Sequence, residues 1–189
     1  AQASSASQAA LTQLRVHPVK GCRAISVDAL VLDKRGPIHD RRWMLIDALD
    51  RTFVTQREHP SLATVDTAID GESVVVSAAG HPPLPLARAD AQGAVQTIDV
   101  WGRPCTGRDA GDAAAEWFSS VVGRSMRLLV DVDEGSVAFA DAYPLLLTSR
   151  SSLEDLNQRL RTPVPMERFR PNVVIEGPPA WDEDKWAAV

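Results

Sequence analysis

Apolar and polar residues alternate along much of the first hundred positions. Ile25, Val27, Ala29 and Val31 take every second place, with Ser26 and Asp28 between them, and a period of two marks a strand with one buried face. Residues 42–47, 52–55, 73–78 and 97–101 are rich in β-branched or aromatic side chains. Asp70-Gly71, Ala79-Gly80 and Gly102 punctuate them as turns. Short strands broken at close intervals predict an all-β sandwich or barrel over residues 11–132.

At Asp112 the period changes. Ala114, Trp117, Phe118, Val121 and Val122 recur at helical spacing and stop at Gly123, a suitable residue just past a helix end. Residues 126–132 return to alternation, and the acidic, glycine-containing stretch 131–136 is the expected seam, with a second domain over residues 133–189. There, residues 143–148 read as a buried strand. Ser151 with Glu154 reads as a capping box opening a helix with Leu153, Leu156 and Leu160 on one face, ended by Pro163 and Pro165. Residues 172–175 read as a last strand before Gly177-Pro178-Pro179. The fold class expected is mainly β, with β-barrel domains and a few short helices (α+β). Residues 1–10 contain only Ala, Gln and Ser and read as a disordered lead-in.

Net charge is −5, which gives no reason to expect nucleic acid or an anionic membrane as partner, so any anion must be held locally. Cys22 and Cys105 are the only cysteines and form no Cys-x-x-Cys. Neither a disulfide framework nor a zinc site is readable, and a reducing, cytoplasmic setting fits best. No apolar run is long enough to span a bilayer. His17, His39, His59 and His81 are scattered rather than paired at metal-ligand spacing. Asp182-Glu183-Asp184 reads as a solvated helix start, so no metal site is assigned. Phosphate-loop, dinucleotide and nucleophile-elbow signatures are absent.

Three loop segments carry candidate chemistry. In His17-Pro18-Val19-Lys20-Gly21-Cys22-Arg23, Gly21 lets the backbone approach a ligand, and Lys20 and Arg23 could both point at an anion. In Gly36 to Trp43, Asp40 could orient Arg41 towards a phosphate or simply pair with it as a structural salt bridge. In Phe169-Arg170-Pro171-Asn172, Pro171 biases Arg170 to an extended backbone at the edge of a buried strand, where a guanidinium needs an anion or a carboxylate. Basic residues at three strand ends of an acidic protein suggest convergence on a phosphate-like group. That reading gives an anion site and no reaction.

At these same places the chain resembles the MOSC family with its N-terminal β-barrel domain, which includes the amidoxime-reducing components, their bacterial relatives, and the C-terminal part of molybdenum-cofactor sulfurase. The resemblance runs from residue 11 to the end. It rests on Leu14-x-x-His17-Pro18-Val19-Lys20, Asp40-Arg41-x-Trp43-Met44, Phe53-Val54-Thr55-Gln56-Arg57-Glu58-x-Pro60 and Phe139-Ala140-Asp141-x-Tyr143-Pro144. Ser152-Leu153-x-Asp155-Leu156-Asn157 and Phe169-Arg170-Pro171-Asn172, followed by Glu183-Asp184-x-Trp186, complete it.

The resemblance implies that Lys20, Arg41 and Arg170 hold the phosphate and pterin of a molybdenum cofactor (molybdopterin). Gly21 stands where the family usually has serine, keeping the amide and losing the hydroxyl. Asp141, Thr148 and Ser149 belong to a stretch that lines the same pocket, and Asn172 is more often structural there. The family's metal ligand is a cysteine in a Cys-x-Arg-Cys segment expected beyond Val189, a position that neither Cys22 nor Cys105 matches. The implied parent is an oxidoreductase that reduces N-hydroxylated small molecules, with electrons from a partner protein or an appended iron–sulfur domain. The chain itself is expected to bind pterin weakly without turnover. The alternatives are a non-catalytic carrier of cofactor or sulfur and an inactive fragment. No fold for pyridoxal phosphate, the cofactor of the sulfur-donating desulfurase, is recognisable.

Overall fold

The computed structural model describes residues 8–186 except Glu134 and Ser136; most of the expected lead-in lies outside them. Among the described residues, strands predominate over helices. β1 (Ala10–Val16), β2 (Ile25–Val27), β3 (Leu32–Asp33) and β4 (Gly36–Pro37) precede β5 (Trp43–Asp47). β6 (Asp66–Asp70), β7 (Ser73–Ala78) and β8 (His81–Ala87) form a meander, and β9 (Val95–Val100) and β10 (Arg103–Asp109) a hairpin. Helix α1 (Asp112–Val122), β11 (Met126–Asp131), β12 (Leu147–Ser149), α2 (Arg150–Arg159) and β13 (Val173–Glu176) follow.

The strands belong to two compact units that are discontinuous in sequence. The larger comprises Val16–Ile25 and Val31–Pro144; the smaller takes the chain up to Arg15, Ser26–Leu30, and the chain from Leu145 on. In the larger unit an antiparallel sheet runs in the order β5-β11-β10-β9, beside the β6-β7-β8 meander and the β3-β4 hairpin. β5 is apolar at four consecutive positions because both of its faces are covered. Trp43 and Leu45 join a core with Val19, Leu62, Phe118 and Leu128, while Met44 and Ile46 join a second core with Ile98, Leu129 and Phe139. Each such side chain contributes roughly 1.5–3 kcal/mol when fully buried, so this strand and its partner β11 organise the unit.

Helix α1 forms over the expected residues. Ala114, Trp117 and Phe118 are buried, and Gly123 ends the helix at φ +75, donating its N–H to Ser119 O at 2.8 Å. Other expectations need correction. Residues 52–55 form no strand; Phe53 makes only an isolated bridge to Ile46. Ala29 and Val31 lie outside β2.

In the smaller unit the sheet order is β12-β13-β1-β2. β12 and β13 are parallel with α2 as their crossover, and β1 lies antiparallel to β13. Residues 143–148 are not a buried strand: Tyr143 is 81% exposed and β12 begins only at Leu147. Pro144, with no N–H to donate to a ladder, stands between them. The expected capping box is also absent, because α2 starts at Arg150 and Ser151 falls inside it. The N-cap is Ser149, whose side chain makes no capping bond.

Gly107 in β10 marks a close approach. A Cβ there would lie 2.9 Å from Leu129 Cβ and 3.0 Å from Phe139 Cζ. Gly107→Ala is therefore expected to destabilise the protein by about 1–3 kcal/mol through overpacking. A lowered urea midpoint with an unchanged m-value checks this, and a wild-type midpoint would count against it.

Candidate anion-binding site

Lys20 is carried by the turn that follows β1. Val19 pairs with Trp43, the Lys20 N–H donates to Trp43 O at 2.8 Å, and the Trp43 N–H donates to Pro18 O at 3.2 Å. The loop is thus clamped to the most buried strand of its unit. Gly21 stands at φ +94, a region that favours glycine, and a Cβ there would meet Leu62 Cδ1 at 3.1 Å. This gives a steric reason for glycine where serine was the expectation. The Asp40-Arg41 segment is tied to the same loop. Asp40 Oδ1 accepts the His17 N–H at 2.7 Å, and the Arg41 N–H donates to His17 O at 2.7 Å. Arg41 also pairs with Asp40 Oδ2, so the expected Asp-Arg pair is present.

Both basic residues meet the turn at residues 138–141. The Phe139 N–H donates to Arg41 O at 3.1 Å, and Lys20 Nζ donates to Phe139 O at 2.8 Å. Lys20 Nζ also pairs with Asp141, whose Oδ1 accepts the Trp101 indole N–H at 2.9 Å. The Lys20 side chain is 11% exposed, whereas that of Asp141 is 68% exposed. Burial pushes the Lys20 ammonium below its ordinary range; Asp141 opposes that shift and Arg41 adds to it. For Asp141, burial acts upward, but hydrogen bonding to Lys20 and Trp101, with the charges of Lys20 and Arg41, holds the carboxyl below its ordinary range. Phe53 lies edge-on to Trp101, with ring centroids 4.8 Å apart, and Lys20 Nζ is 5.7 Å from the Phe53 centroid.

Arg23 does not join this cluster. Its guanidinium donates to Ala63 O and to Asp66 Oδ1, each at 2.8 Å, because a carboxylate and a carbonyl lie within reach on its own side. Conversely, Trp101 and Arg103 were missed by sequence reading. Arg103 Nη2 donates to Ala138 O at 3.2 Å and to Ala140 O at 2.5 Å, on the turn that Lys20 also holds. The visible signal was the Trp101-Gly102-Arg103 hairpin turn, which carries no chemical signature of its own.

The remaining candidates lie in the smaller unit. Arg170 is not extended: it adopts φ +57, ψ +46, and its N–H donates to Glu167 O at 3.1 Å, ending a 3-10 turn at Met166–Phe169. The proline after it bars the right-handed helical region, and a left-handed residue lets the turn stop there. Asn172 is fully buried. Its Nδ2 donates to Arg15 O at 3.2 Å and its Oδ1 accepts the Leu146 N–H at 3.1 Å, so both ends of the amide are bonded to backbone. Thr148 Oγ1 reaches Met166 Sδ at 3.3 Å. Ser149 is 1% exposed, and its Oγ has no hydrogen-bond partner among the described residues.

Fold and cluster together define a mainly β protein with a buried, locally basic turn in its larger unit. Residues 8–125 match the MOSC N-terminal beta barrel domain and residues 134–189 the MOSC domain; the chain belongs to this family. Among its relatives are mitochondrial amidoxime reducing component 2 of Bos taurus (30% identical, covering 93% of this chain and 59% of that protein) and mitochondrial amidoxime-reducing component 1 of Homo sapiens (32%, 93% and 58%). The chain thus spans just under three-fifths of their length. The solution structure of a Bordetella bronchiseptica protein shares the fold, with a TM-score of 0.51 and 18% identity over 69% of this chain and 95% of that one. No helix among the described residues is long and apolar enough to cross a membrane.

The pH response of Lys20 follows from its surroundings. Its folded pKa lies below the unfolded value of 10.5, so between the two values the unfolded chain binds more protons and stability rises with pH. Asp141→Asn removes an opposing influence and is expected to lower the Lys20 pKa further. Nitrogen NMR of the Lys20 ammonium checks both statements; a titration at or above 10.5 in either protein would contradict them.

Proposed function

We propose that the chain binds the molybdenum cofactor and belongs to an oxidoreductase that reduces N-hydroxylated small molecules. The observation that carries this reading is the Lys20 ammonium, nine-tenths buried beside Arg41, at positions where the family resemblance expects phosphate ligands. The donor set suits a phosphate-bearing pterin. In the larger unit, Lys20 and Arg41 would hold the phosphate by charge-assisted hydrogen bonds, with the Gly21 backbone alongside. Arg170, Thr148 and Ser149, in the smaller unit, enter the proposed ligand set through the family resemblance alone; of these, the Ser149 Oγ has no hydrogen-bond partner among the described residues. Bound there, the cofactor supplies the redox chemistry, while the chain contributes anchoring, orientation and a shaped environment.

The names of the relatives support amidoxime-type substrates. Electrons would arrive from a partner protein or an attached iron–sulfur domain. Cys22 and Cys105 are both buried and no disulfide joins them, which is compatible with a reducing compartment.

Elemental molybdenum and oxidised-pterin fluorescence test the reading in protein purified from a cofactor-producing host. The expected result is bound pterin whose amount falls at least tenfold in Lys20→Ala and in Arg170→Ala, each losing charge-assisted contacts of about 1.5–3 kcal/mol, and stays unchanged in Arg23→Ala. Absence of pterin from every sample, or equal content in all of them, would refute it.

A further inference from the structure

Arg103 opens β10 immediately after the Trp101-Gly102 turn. Its Nη2 is occupied by the carbonyls of Ala138 and Ala140, whereas Nε and Nη1 are buried and have no hydrogen-bond partner among the described residues. Lys20 Nζ takes the carbonyl between those two, that of Phe139, at 2.8 Å. Neighbouring Cα atoms are only about 3.8 Å apart, so the two cations stand on consecutive carbonyls of one turn. Both also act on the buried Cys105 thiol, opposing the upward push of its burial, which places them around the same spot.

Their charges are not balanced. Asp141 answers Lys20, and Asp40 answers Arg41, but Arg103 forms no ion pair among the described residues. Carbonyl oxygens satisfy hydrogen bonds without neutralising a cation, and a buried guanidinium with donors left over is costly. A tetrahedral oxyanion offers acceptors in several directions, which suits an ammonium and a guanidinium reaching it from different strands. A carboxylate offers them in one plane.

We propose that Arg103 is an anion-binding residue that shares one phosphate-class group with Lys20, using the donors left over from its carbonyl contacts. In the cofactor reading given above, that group is the pterin phosphate. The inference rests on that reading for the ligand's identity, and on the unpaired cation for the existence of the contact. Asp141, more exposed and already bonded to Lys20, is the group the anion displaces.

The test is calorimetric titration of the full chain with inorganic phosphate and with pyrophosphate at low salt, where charge pairing is least screened. Arg103→Gln is expected to weaken binding about tenfold or more, as for loss of a charge-assisted contact. Arg23→Ala, which removes a surface pair on another face of the loop, is expected to leave binding unchanged. A second measurement works on the wild-type chain: the Arg103 Nε–H resonance should shift with added phosphate and saturate at the calorimetric affinity. Unaltered binding by folded Arg103→Gln, a stationary Nε–H signal, or failure of the wild type to bind phosphate at millimolar concentration would each overturn the proposal. Arg103-dependent phosphate binding in a chain that never carries pterin would keep this inference and remove the cofactor reading. Pterin bound equally by wild type and Arg103→Gln would do the reverse.

Discussion

The pairing of β5 with β11, Trp43 opposite Val130 through Asp47 opposite Met126, is the constraint on which the larger unit depends. β5 is buried along its length and β11 at every position but Arg127, so side chains on each face need a core, and the two cores are built from alternate residues of the same strands. From that arrangement the position of the basic cluster follows. Trp43 uses its outer backbone groups to hold Pro18 and Lys20. On the other face, Leu129 and Phe139 pack in one core, and Gly107 leaves them room. The Lys20 loop and the 138–141 turn are therefore both referred to one strand pair, and they can present an ammonium and a carbonyl to each other with little freedom to drift.

Charge follows packing. An ammonium in such a place must be hydrogen-bonded or paired, and Lys20 is both, through Phe139 O and Asp141. The partner carboxylate is largely exposed, so the pair can open without uncovering a core. Arg35 with Asp131 is the contrasting case: both side chains are almost fully buried, and the Asp131 backbone carbonyl also accepts from Arg88 at 2.9 Å. That network looks inward and has a structural task, whereas the Lys20 cluster has an exposed carboxylate and an exposed tryptophan at its rim. This difference separates a site able to exchange partners from a salt bridge that holds strands in place.

Much of this was legible in the amino-acid sequence. Helix α1 with its terminal glycine, the β7 strand and the buried β5 strand follow from periodicity and turn chemistry, which act over a few residues. The Lys20 and Asp40-Arg41 segments were legible as short motifs in family order. Sequence reasoning failed where a nearby residue overrode the local pattern. Pro144 removed a ladder donor from the apolar 143–148 run, and the left-handed Arg170 ended a turn that the following proline had suggested would be extended. What the sequence by itself determined, then, was the kind of elements and the family. Which cation meets which acceptor was decided only by tertiary structure, because Lys20 and Phe139 lie 119 positions apart, and Arg103 reaches the same turn from a strand whose own pattern carries no mark of an anion. Such pairings depend on how sheets stack and where a core leaves room, and no local propensity encodes them.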